Sequence, residues 1–361
     1  MFRAEHQPNL QVVASVSSVV QFCYSRPAKM RAAAILGLGS STKELQPFQK
    51  KSDATWLIGL PASSTEADAI LIFGGDGTVH RHLAQLVKLQ LPVLVVPCGS
   101  GNDFARALNL RSIRDSLAAW RKFSSAGGNV RTIDAGLITP LVPSPQGLKP
   151  PQTRGAGGTA AAVPFPDTAN NVSGASAAKG ITSNSVLDTR YYFCCVGGVG
   201  LDAEIARRAN GLPRWLRGHG GYVLSLMAAL FRFAPVPMKI MVPDSEHPDV
   251  LVTRSAKPTV LAAFANAPTY GGGMKVAPRA QLDDGQLDIC IVSDVGKFKL
   301  FCLFPTVYFG RHLSIPQVEY FQATRLRVET ESPLDVYADG EYVCRTPIEV
   351  SVARGALSVI V

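Results

Sequence analysis

The sequence predicts two domains: an α/β N-terminal domain with a parallel, Rossmann-like sheet, and a C-terminal domain that is mainly a β sandwich. From residue 29 to residue 134, short apolar runs alternate with helix-like segments. From 187 to 361, many short strand-like runs follow one another with turn residues between them. A segment of different composition, 140–186, separates the two regions. These three observations predict the fold class.

Three apolar runs predict the strands of the N-terminal domain. They are AAAILGL at 32–38, ADAILIF at 67–73 and PVLVVP at 92–97. Apolar residues at helical spacing over 78–91 predict a helix between the last two strands. Strands that are apolar throughout and are joined by helices are typical of a parallel sheet covered on both faces. The stretch between the first strand and residue 69 looks short for a further strand and helix.

Two segments are not expected to contribute to either core. Residues 140–186 consist mainly of Pro, Gly, Ala, Ser and Thr, which predicts a disordered insertion. Residues 1–28 are predicted to be an N-terminal extension. They make a poor signal peptide, because early positive charges are few and serines interrupt the apolar stretch.

A series of short strands predicts the C-terminal domain. The runs are TRYYFCCVGGVG (189–200), PMKIMV (237–242), DVLVTR (249–254), PTVLAAFANAP (258–268), GQLDICIVSD (285–294), RLRVETE (325–331), LDVYADGEYV (334–343), PIEVSV (347–352) and ALSVIV (356–361). Whether the final strands return to the first domain is left open. Helical patterns at 203–233 and 297–313 interrupt the series, and their large apolar residues are expected to be mostly core.

Composition restricts the classes of partner. The chain is 47% hydrophobic and 17% charged, with a net charge of +9, so it is globular and suits anionic partners such as nucleotide phosphates or lipid headgroups. Simple solubility is the alternative explanation of the charge. No nucleic-acid-binding motif accompanies it. The seven cysteines form no C-x-x-C pair, which favours a reducing cytosol over a disulfide framework or a zinc site.

A basic and aromatic cluster in the first of these helical patterns has two possible roles. It consists of Arg207, Arg208, Arg214, Trp215 and Arg217. Such a cluster suits an anionic membrane interface, although its residues can equally pack in the fold.

A glycine turn follows the second predicted strand. Gly74, Gly75, Asp76, Gly77 and Thr78 stand between that strand and the predicted helix. In parallel α/β sheets, ligands bind at the carboxyl ends of the strands, and glycines let backbone N–H groups approach a phosphate. The helix that follows presents its positive end to an anion, and Asp76 adds a carboxylate where a magnesium–phosphate complex would lie. A purely structural strand–helix turn is the alternative.

A second turn repeats this arrangement after the third predicted strand. Ser100, Gly101 and Asn102 offer donors to a nucleotide, and Asp103 and Arg106 are spaced to pair on one helical turn. The first strand leads into GLGSSTKEL at 37–45, which is glycine- and hydroxyl-rich but lacks the P-loop pattern.

The ordered motifs resemble the diacylglycerol kinase catalytic-domain family, which includes bacterial lipid kinases and the sphingosine and ceramide kinases. The motifs are GGDGT (74–78), GSGNDFAR (99–106), DAGLI (134–138), GGVGLDAEI (197–205), NAPTYGGGMKVAPRAQLDDGQLDI (266–289) and ADGE (338–341). The resemblance spans about residues 30–361 apart from the insertion. It implies a Rossmann-like domain and a β-sandwich domain, as in the diacylglycerol and NAD kinases, with a cleft between them.

The resemblance also implies residue roles, a cofactor and partners. ATP would lie on residues 74–78 and near 100–102, and Glu341, with Asp339 beside it, would accept the proton of a lipid hydroxyl. Asp284, with carbonyl groups of Gln281 and Gln286, would hold a structural Mg²⁺. The implied function is ATP-dependent phosphorylation of diacylglycerol or a related lipid at the membrane surface. A cytoplasmic protein, peripherally associated with the membrane, would perform it, with a homodimer as one option for its oligomeric state.

The chain departs from the family's pattern at two places. The first loop is GLGSS instead of the usual Asn-Pro-x-Ser-Gly, and His80-Arg81 stands where Asn-Glu is usual. Histidine at the first of these positions also occurs in sphingosine kinases. Two alternatives to the lipid kinase are an NAD kinase, which shares the GGDGT turn, and a non-catalytic module that binds lipid or nucleotide.

Overall fold

The computed structural model describes residues 29–141, 190–211, 229–230 and 232–361. The predictions of an N-terminal extension at 1–28, of disorder in the insertion after residue 141, and of an interfacial role for Arg214, Trp215 and Arg217 lie outside these residues. Among the described helices, none has the length and apolar character needed to cross a membrane.

The first part of the described chain forms four strands and four helices. The strands are β1 (Met30–Leu36), β2 (Ala54–Ile58), β3 (Ala69–Gly74) and β4 (Val93–Pro97), and the helices are α1 (Thr42–Lys50), α2 (Asp76–Leu89), α3 (Asp103–Ala107) and α4 (Ile113–Ala126). The strands lie in the order β2-β1-β3-β4, and all three neighbouring pairs are parallel. The predicted parallel α/β fold of this region is confirmed.

The stretch that looked too short holds both α1 and β2, so that expectation was wrong. Ser41 and Glu44 form a capping box at the start of α1, while Pro47 lies inside the helix and obscures its pattern. β2 is an edge strand with exposed side chains, so it lacks the apolar run that identifies β3. A short helix and a short edge strand therefore fit between β1 and β3.

The remaining described elements are mainly strands. They are β5 (Val130–Pro140), β6 (Tyr191–Phe193), β7 (Val196–Gly200), α5 (Leu201–Gly211), β8 (Val236–Pro243), β9 (Leu251–Ser255), β10 (Pro258–Ala265), β11 (Leu287–Ser293), α6 (Lys297–Leu303), two 3₁₀ turns η1 (Phe304–Phe309) and η2 (Arg311–Ser314), β12 (Val318–Ala323), β13 (Arg325–Thr330), β14 (Asp335–Ala338), β15 (Glu341–Arg345) and β16 (Ile348–Ile360). The sequence patterns missed β12.

These strands form a sandwich, which confirms the predicted class of the C-terminal region. One layer contains β8, β13, β16 and β5, and the other contains β14, β7, β10, β11 and β12. Buried side chains from both layers, including Met238, Leu326, Phe264 and Ile289, form a core between them. A separate core covers the parallel sheet and includes Phe48, Phe73 and Trp120.

The last strand connects the two parts of the fold. β16 pairs antiparallel with β5 along most of its length and parallel with β4 at Val359 and Val93. The runs PIEVSV and ALSVIV, predicted as separate strands, belong to this single strand. A register shift between Ala353 and Leu357 interrupts its pattern, and Gly355 adopts a φ of +59° there.

The segment predicted as a helix over 297–313 is a short α-helix followed by two 3₁₀ turns. The expectation that its large apolar residues are mostly core was wrong for its outer face. Phe298 is 76% exposed and Phe309 is 72% exposed. Leu300 and Phe304 instead pack against a third, smaller core with Leu201 and Ile205. The helical period does not show which face of such an apolar segment meets the fold.

Candidate active site

The glycine turn lies at the carboxyl end of β3, as predicted. Gly75 is the N-cap of α2, and the helix begins at Asp76. The buried Thr78 side chain packs where side chains at Gly37 and Gly74 would stand, since a Cβ at Gly74 would lie 2.5 Å from Thr78 Oγ1. The turn therefore presents backbone to its outer side and packs its threonine inward.

The second predicted turn lies directly against the first. A Cβ at Gly99 would lie 2.5 Å from the Cα of Gly75, so the two backbones are in contact. Asn102 Oδ1 accepts the Gly99 N–H at 2.9 Å, and its Nδ2 donates to the Gly99 carbonyl at 2.6 Å. Asn102 thus shapes the loop with its side chain, while Ser100 is exposed at the tip. Together the turns form one surface lined by backbone groups.

Asp76 joins the two turns. Its carboxylate accepts hydrogen bonds from the N–H groups of Asp103 at 2.9 Å and Phe104 at 3.0 Å, at the start of α3. Burial raises the pKa of Asp76 to about 6, although these two N–H groups act against the shift, and the charges of Asp103 and Asp339 add to it. Negative charge is therefore concentrated here, which favours a nearby cation.

The acidic turn between β14 and β15 is held by backbone N–H groups of a distant segment. The Asp339 carboxylate accepts hydrogen bonds from Cys194 and Cys195, each at 2.8 Å, and from Val196 at 3.3 Å. Asp339 has a φ of +50°, so the backbone turns sharply at this point. Asp339 therefore fixes the position of the turn and of Glu341 two residues later.

Glu341 reaches the first turn of α2. A Cβ at Gly77 would lie 3.0 Å from Glu341 Oε1, and Glu341 itself is exposed. The structure thus brings Asp76, Asp339, Glu341 and the two glycine turns to one place. These are the predicted catalytic residues and the predicted nucleotide-binding turns.

His80 pairs with Asp339 of the acidic turn. Its Nδ1 is 3.2 Å from Asp339 Oδ2, and its side chain is 15% exposed. Burial lowers the pKa of His80, but the hydrogen bond and charge of Asp339 and the charge of Glu341 outweigh burial and raise it. Arg81, the neighbouring departure from the family's pattern, is exposed.

Asp103 is a site residue that the sequence reasoning treated only as an ion-pair partner. The predicted pair with Arg106 is present. In addition, Asp103 Oδ2 accepts the Gly272 N–H at 2.8 Å, in the TYGGGM loop. Burial raises the pKa of Asp103. Its position in GSGNDFAR was a usable signal, but the distant loop it binds was not visible in the sequence.

The predicted metal residues form a second cluster, in the loop before β11. Asp284 Oδ1 accepts the Gln286 N–H at 3.0 Å, and Asp284 Oδ2 accepts Gln322 Nε2 at 3.1 Å. Gln322 also donates to Asp288, whose pKa is raised by burial and by the charge of Asp284. Gln281 lies on the same loop and is exposed. Two neighbouring carboxylates suit a divalent cation, although no group of three acidic, His or Cys ligands occurs within the described ranges.

An apolar cavity lies in the β-rich part of the fold. Its walls include Leu201, Ile205, Val260, Val292, Leu300, Phe304 and Val307. Asp202 also lines it, and its Oδ1 has no hydrogen-bond partner among the described residues. Burial raises the pKa of Asp202 to about 6, against a hydrogen bond from Tyr270.

Two chain segments connect the cavity to the acidic site. β7 starts at Val196, whose N–H binds Asp339, and it leads directly into the residues at 201–205 that line the cavity. The loop at 269–274 contributes Tyr270 to the cavity wall and Gly272 to Asp103. The same two segments therefore contribute residues both to the cavity and to the acidic site.

Comparisons with known proteins cover both parts of the fold. Residues 31–138 match the diacylglycerol kinase catalytic domain, and residues 196–361 match the YegS C-terminal NAD kinase beta sandwich-like domain. A diacylglycerol kinase of Mycobacterium tuberculosis is 29% identical over 293 residues, which cover 81% of this chain and 76% of that protein. The putative lipid kinase YtlR of Bacillus subtilis is 25% identical over 301 residues, 80% of this chain and 79% of its own.

A solved structure shares the fold. It is described as a putative diacylglycerol kinase from Bacillus anthracis and superimposes with a TM-score of 0.60 at 20% identity, covering 93% of this chain and 98% of that chain. The two domain matches follow the order of the two parts of the structure and include both acidic segments of the site. The chain belongs to the diacylglycerol kinase catalytic-domain family of lipid kinases.

Proposed function

We propose that the protein is an ATP-dependent lipid kinase that transfers the γ-phosphate of ATP to the hydroxyl of diacylglycerol or a related lipid alcohol. The observation that carries the proposal is the contact of Glu341 with the first turn of α2 at Gly77. It brings a carboxylate from one end of the chain to a glycine turn of the type that binds phosphates. A base and a phosphate site side by side are what phosphoryl transfer to an alcohol requires.

ATP would lie on the joined glycine turns. The backbone contact between Gly75 and Gly99 leaves no space for side chains, so N–H groups and the N-terminus of α2 would face the phosphates. Magnesium bound with the nucleotide would neutralise phosphate charge, and Asp76 is the carboxylate placed to hold it. Burial, with the charges of Asp103 and Asp339 added to it, raises the pKa of Asp76, and such a cation would favour the ionised carboxylate.

Glu341 would take the proton of the acceptor hydroxyl. It is exposed at the edge of the β14–β15 turn, whereas the Asp339 carboxylate is already occupied by three backbone N–H groups. We therefore assign proton acceptance to Glu341 and the positioning of the turn to Asp339. A carboxylate within hydrogen-bond reach of the hydroxyl is sufficient for this step.

The apolar cavity favours a lipid as the acceptor over NAD. Its walls are almost entirely aliphatic and aromatic, which suits an acyl chain but not a charged dinucleotide. The lipid names of the curated relatives point the same way. A non-catalytic binding module is less well supported, because Asp76 and Glu341 are both present and meet at one site. Since the acceptor resides in a bilayer, we propose that the reaction takes place at the cytoplasmic membrane surface.

The test is phosphate transfer from γ-labelled ATP to a panel of lipid alcohols, with NAD as a separate acceptor. The wild-type protein is expected to label diacylglycerol or a related lipid and not NAD. Glu341→Gln keeps the shape of the side chain and removes the base, so we expect activity to fall at least about 100-fold. Its thermal unfolding temperature should stay near that of the wild type, because Glu341 is exposed.

The matched control is Glu349→Gln, a carboxylate on β16 outside the site. It should retain wild-type activity. Undiminished transfer by Glu341→Gln would remove Glu341 from the role of base. Labelling of NAD, with no lipid labelled, would replace the lipid kinase with an NAD kinase.

A further inference from the structure

The segment of α6, η1 and η2 carries aromatic side chains to the surface. Phe298 is 76% exposed, Phe309 is 72%, Phe301 is 39% and Tyr308 is 36%. We call these four residues the aromatic rim. Isolated exposed apolar residues are common on proteins, but several large aromatic ones on one short segment mark an interaction surface.

The inner side of the same segment is a wall of the apolar cavity. Leu300, Phe304 and Val307 line that cavity. Two contacts hold this wall against the loop that precedes β11. The Lys275 N–H donates to the Val307 carbonyl at 3.1 Å, and His312 Nε2 lies 3.1 Å from the Val276 carbonyl. The aromatic rim is therefore the outer side of a layer whose inner side encloses the cavity.

The charged side chains within the segment itself are all basic. Lys297, Lys299 and Arg311 are exposed, and no Asp or Glu occurs between residues 295 and 318. Lys299 Nζ donates to Gln317 at 3.3 Å, a neutral partner that leaves its positive charge uncompensated. Aromatic side chains interleaved with Lys and Arg are the chemistry that binds an anionic lipid interface.

We propose that the aromatic rim, with Lys299 and Arg311, docks on the surface of an anionic phospholipid bilayer. The proposal rests on the lipid-kinase function, because it places the cavity wall against the membrane that holds the acceptor. Phe298 and Phe309 enter the headgroup boundary, and the basic side chains meet lipid phosphates. A second copy of the chain fits less well, since a two-fold interface would bring these like charges together.

The test is flotation of the full-length protein with vesicles of phosphatidylcholine alone and of phosphatidylcholine mixed with phosphatidylglycerol. The wild type is expected to bind the anionic vesicles about tenfold more tightly than the neutral ones, and added salt should reduce this preference. Phe298→Ser/Phe309→Ser should weaken binding to the anionic vesicles by about tenfold or more. Lys299→Glu/Arg311→Glu should abolish the preference for anionic vesicles.

Matched controls separate the rim from general effects. Ile58→Ser/Val250→Ser removes two exposed apolar residues elsewhere, at 57% and 54% exposure, and should bind as the wild type does. Arg121→Glu/Lys122→Glu makes the same change in net charge on the exposed side of α4 and should keep most of the anionic preference. Unchanged unfolding temperatures of all four double variants establish that they are folded.

A second readout separates this proposal from the lipid-kinase function. Phosphorylation of a water-soluble short-chain diacylglycerol should be the same in the wild type and in Phe298→Ser/Phe309→Ser, because this acceptor needs no bilayer. Vesicle binding as expected, with no lipid phosphorylated, would sustain the docking surface and refute the function. Wild-type protein that does not bind anionic vesicles would overturn the docking surface. The docking surface would also be overturned if the rim variants bind anionic vesicles as the wild type does, or if the wild type is a dimer and the rim variants are monomers.

Discussion

The charge of His80 depends on the two acidic residues near it, Asp339 and Glu341. Its pKa in the folded protein is raised above the ordinary 6.5, because Asp339 and Glu341 outweigh burial. Its stabilising interaction is then fully present below pH 6.5 and is lost as pH rises through the higher folded pKa. We expect the free energy of unfolding of the wild type to exceed that of His80→Asn by about 1–2 kcal/mol at pH 6 and by much less at pH 9.

Urea unfolding of both proteins at the two pH values measures this difference, and His82→Asn is the control. Burial and the charge of Arg81 lower the pKa of His82, so protonating His82 is less favourable in the folded chain than in the unfolded one, and the stability that depends on the neutral ring is lost as pH falls. The two variants should therefore show opposite pH trends. A difference for His80→Asn that grows with pH would contradict the proposed pair with Asp339.

At the scale of the elements, the site depends on the contact between the β3–α2 turn and the β4–α3 turn. We predict that Gly99→Ala disturbs both turns, because its Cβ would lie 2.5 Å from the Cα and 2.9 Å from the N of Gly75. Backbone atoms cannot move away as a flexible side chain does. We expect a loss of about 1–3 kcal/mol in the free energy of unfolding and a higher KM for ATP than in the wild type.

Gly296→Ala is the matched control, since nothing lies within 4 Å of a Cβ there. Its stability should stay within about 0.5 kcal/mol of the wild type, as measured by urea unfolding. A Gly99→Ala protein with wild-type stability and wild-type KM for ATP would show that the two turns are not in close contact in solution.

The elements differ in how far the sequence predicts them. β3 and α2 were predicted within two residues, because a fully buried strand and a one-sided helix leave clear apolar patterns. The sequence patterns missed α1, β2 and β12. Pro47 interrupts the helical pattern of α1, and the partly exposed strands β2 and β12 lack a continuous apolar run. The helix α6 was predicted, but the exposure of Phe298 on its outer face was not. Large apolar residues occur on both faces of α6, so the helical period does not show which face meets the fold.

At the scale of the whole molecule, the loop at 281–286 ties the two parts of the fold together. Asp134 on β5 accepts the Gly285 N–H at 2.7 Å and also the Gly355 N–H of β16 at 2.7 Å. Arg131 pairs with Asp283 at 2.7 Å. A cation held by Asp284 would add to these contacts where β5 and β16 cross between the parallel sheet and the sandwich.

We therefore predict that Mg²⁺ without nucleotide raises the unfolding temperature of the wild type by a few degrees, as a ligand of the folded state does. Asp284→Asn should lose this increase, because it removes the charge while an amide oxygen still accepts the Gln286 N–H. Differential scanning fluorimetry over a Mg²⁺ titration measures the effect.

Asp283→Asn is the control for this experiment. It loses the ion pair with Arg131 but should keep the Mg²⁺-dependent increase. If Asp284→Asn responds to Mg²⁺ as the wild type does, the cation binds elsewhere in the protein.

The sequence alone determined the properties that depend on neighbouring residues. The apolar runs predicted parallel strands, and the glycines after β3 and β4 marked two turns where strands end. Asp76 and Glu341 were identified within short motifs that resemble one family. These features are local, because strand and helix periods and turn conformations are set by the residues that form them.

Only the tertiary structure decided which of these local features meet. Strand register places the Asp339 carboxylate on the N–H groups of Cys194 and Cys195, and the return of the chain through β14 and β15 brings Glu341 to Gly77. Packing also decided that Phe298 and Phe309 face outward. Such contacts depend on pairing and burial between segments far apart in the chain, and no local pattern encodes the partner.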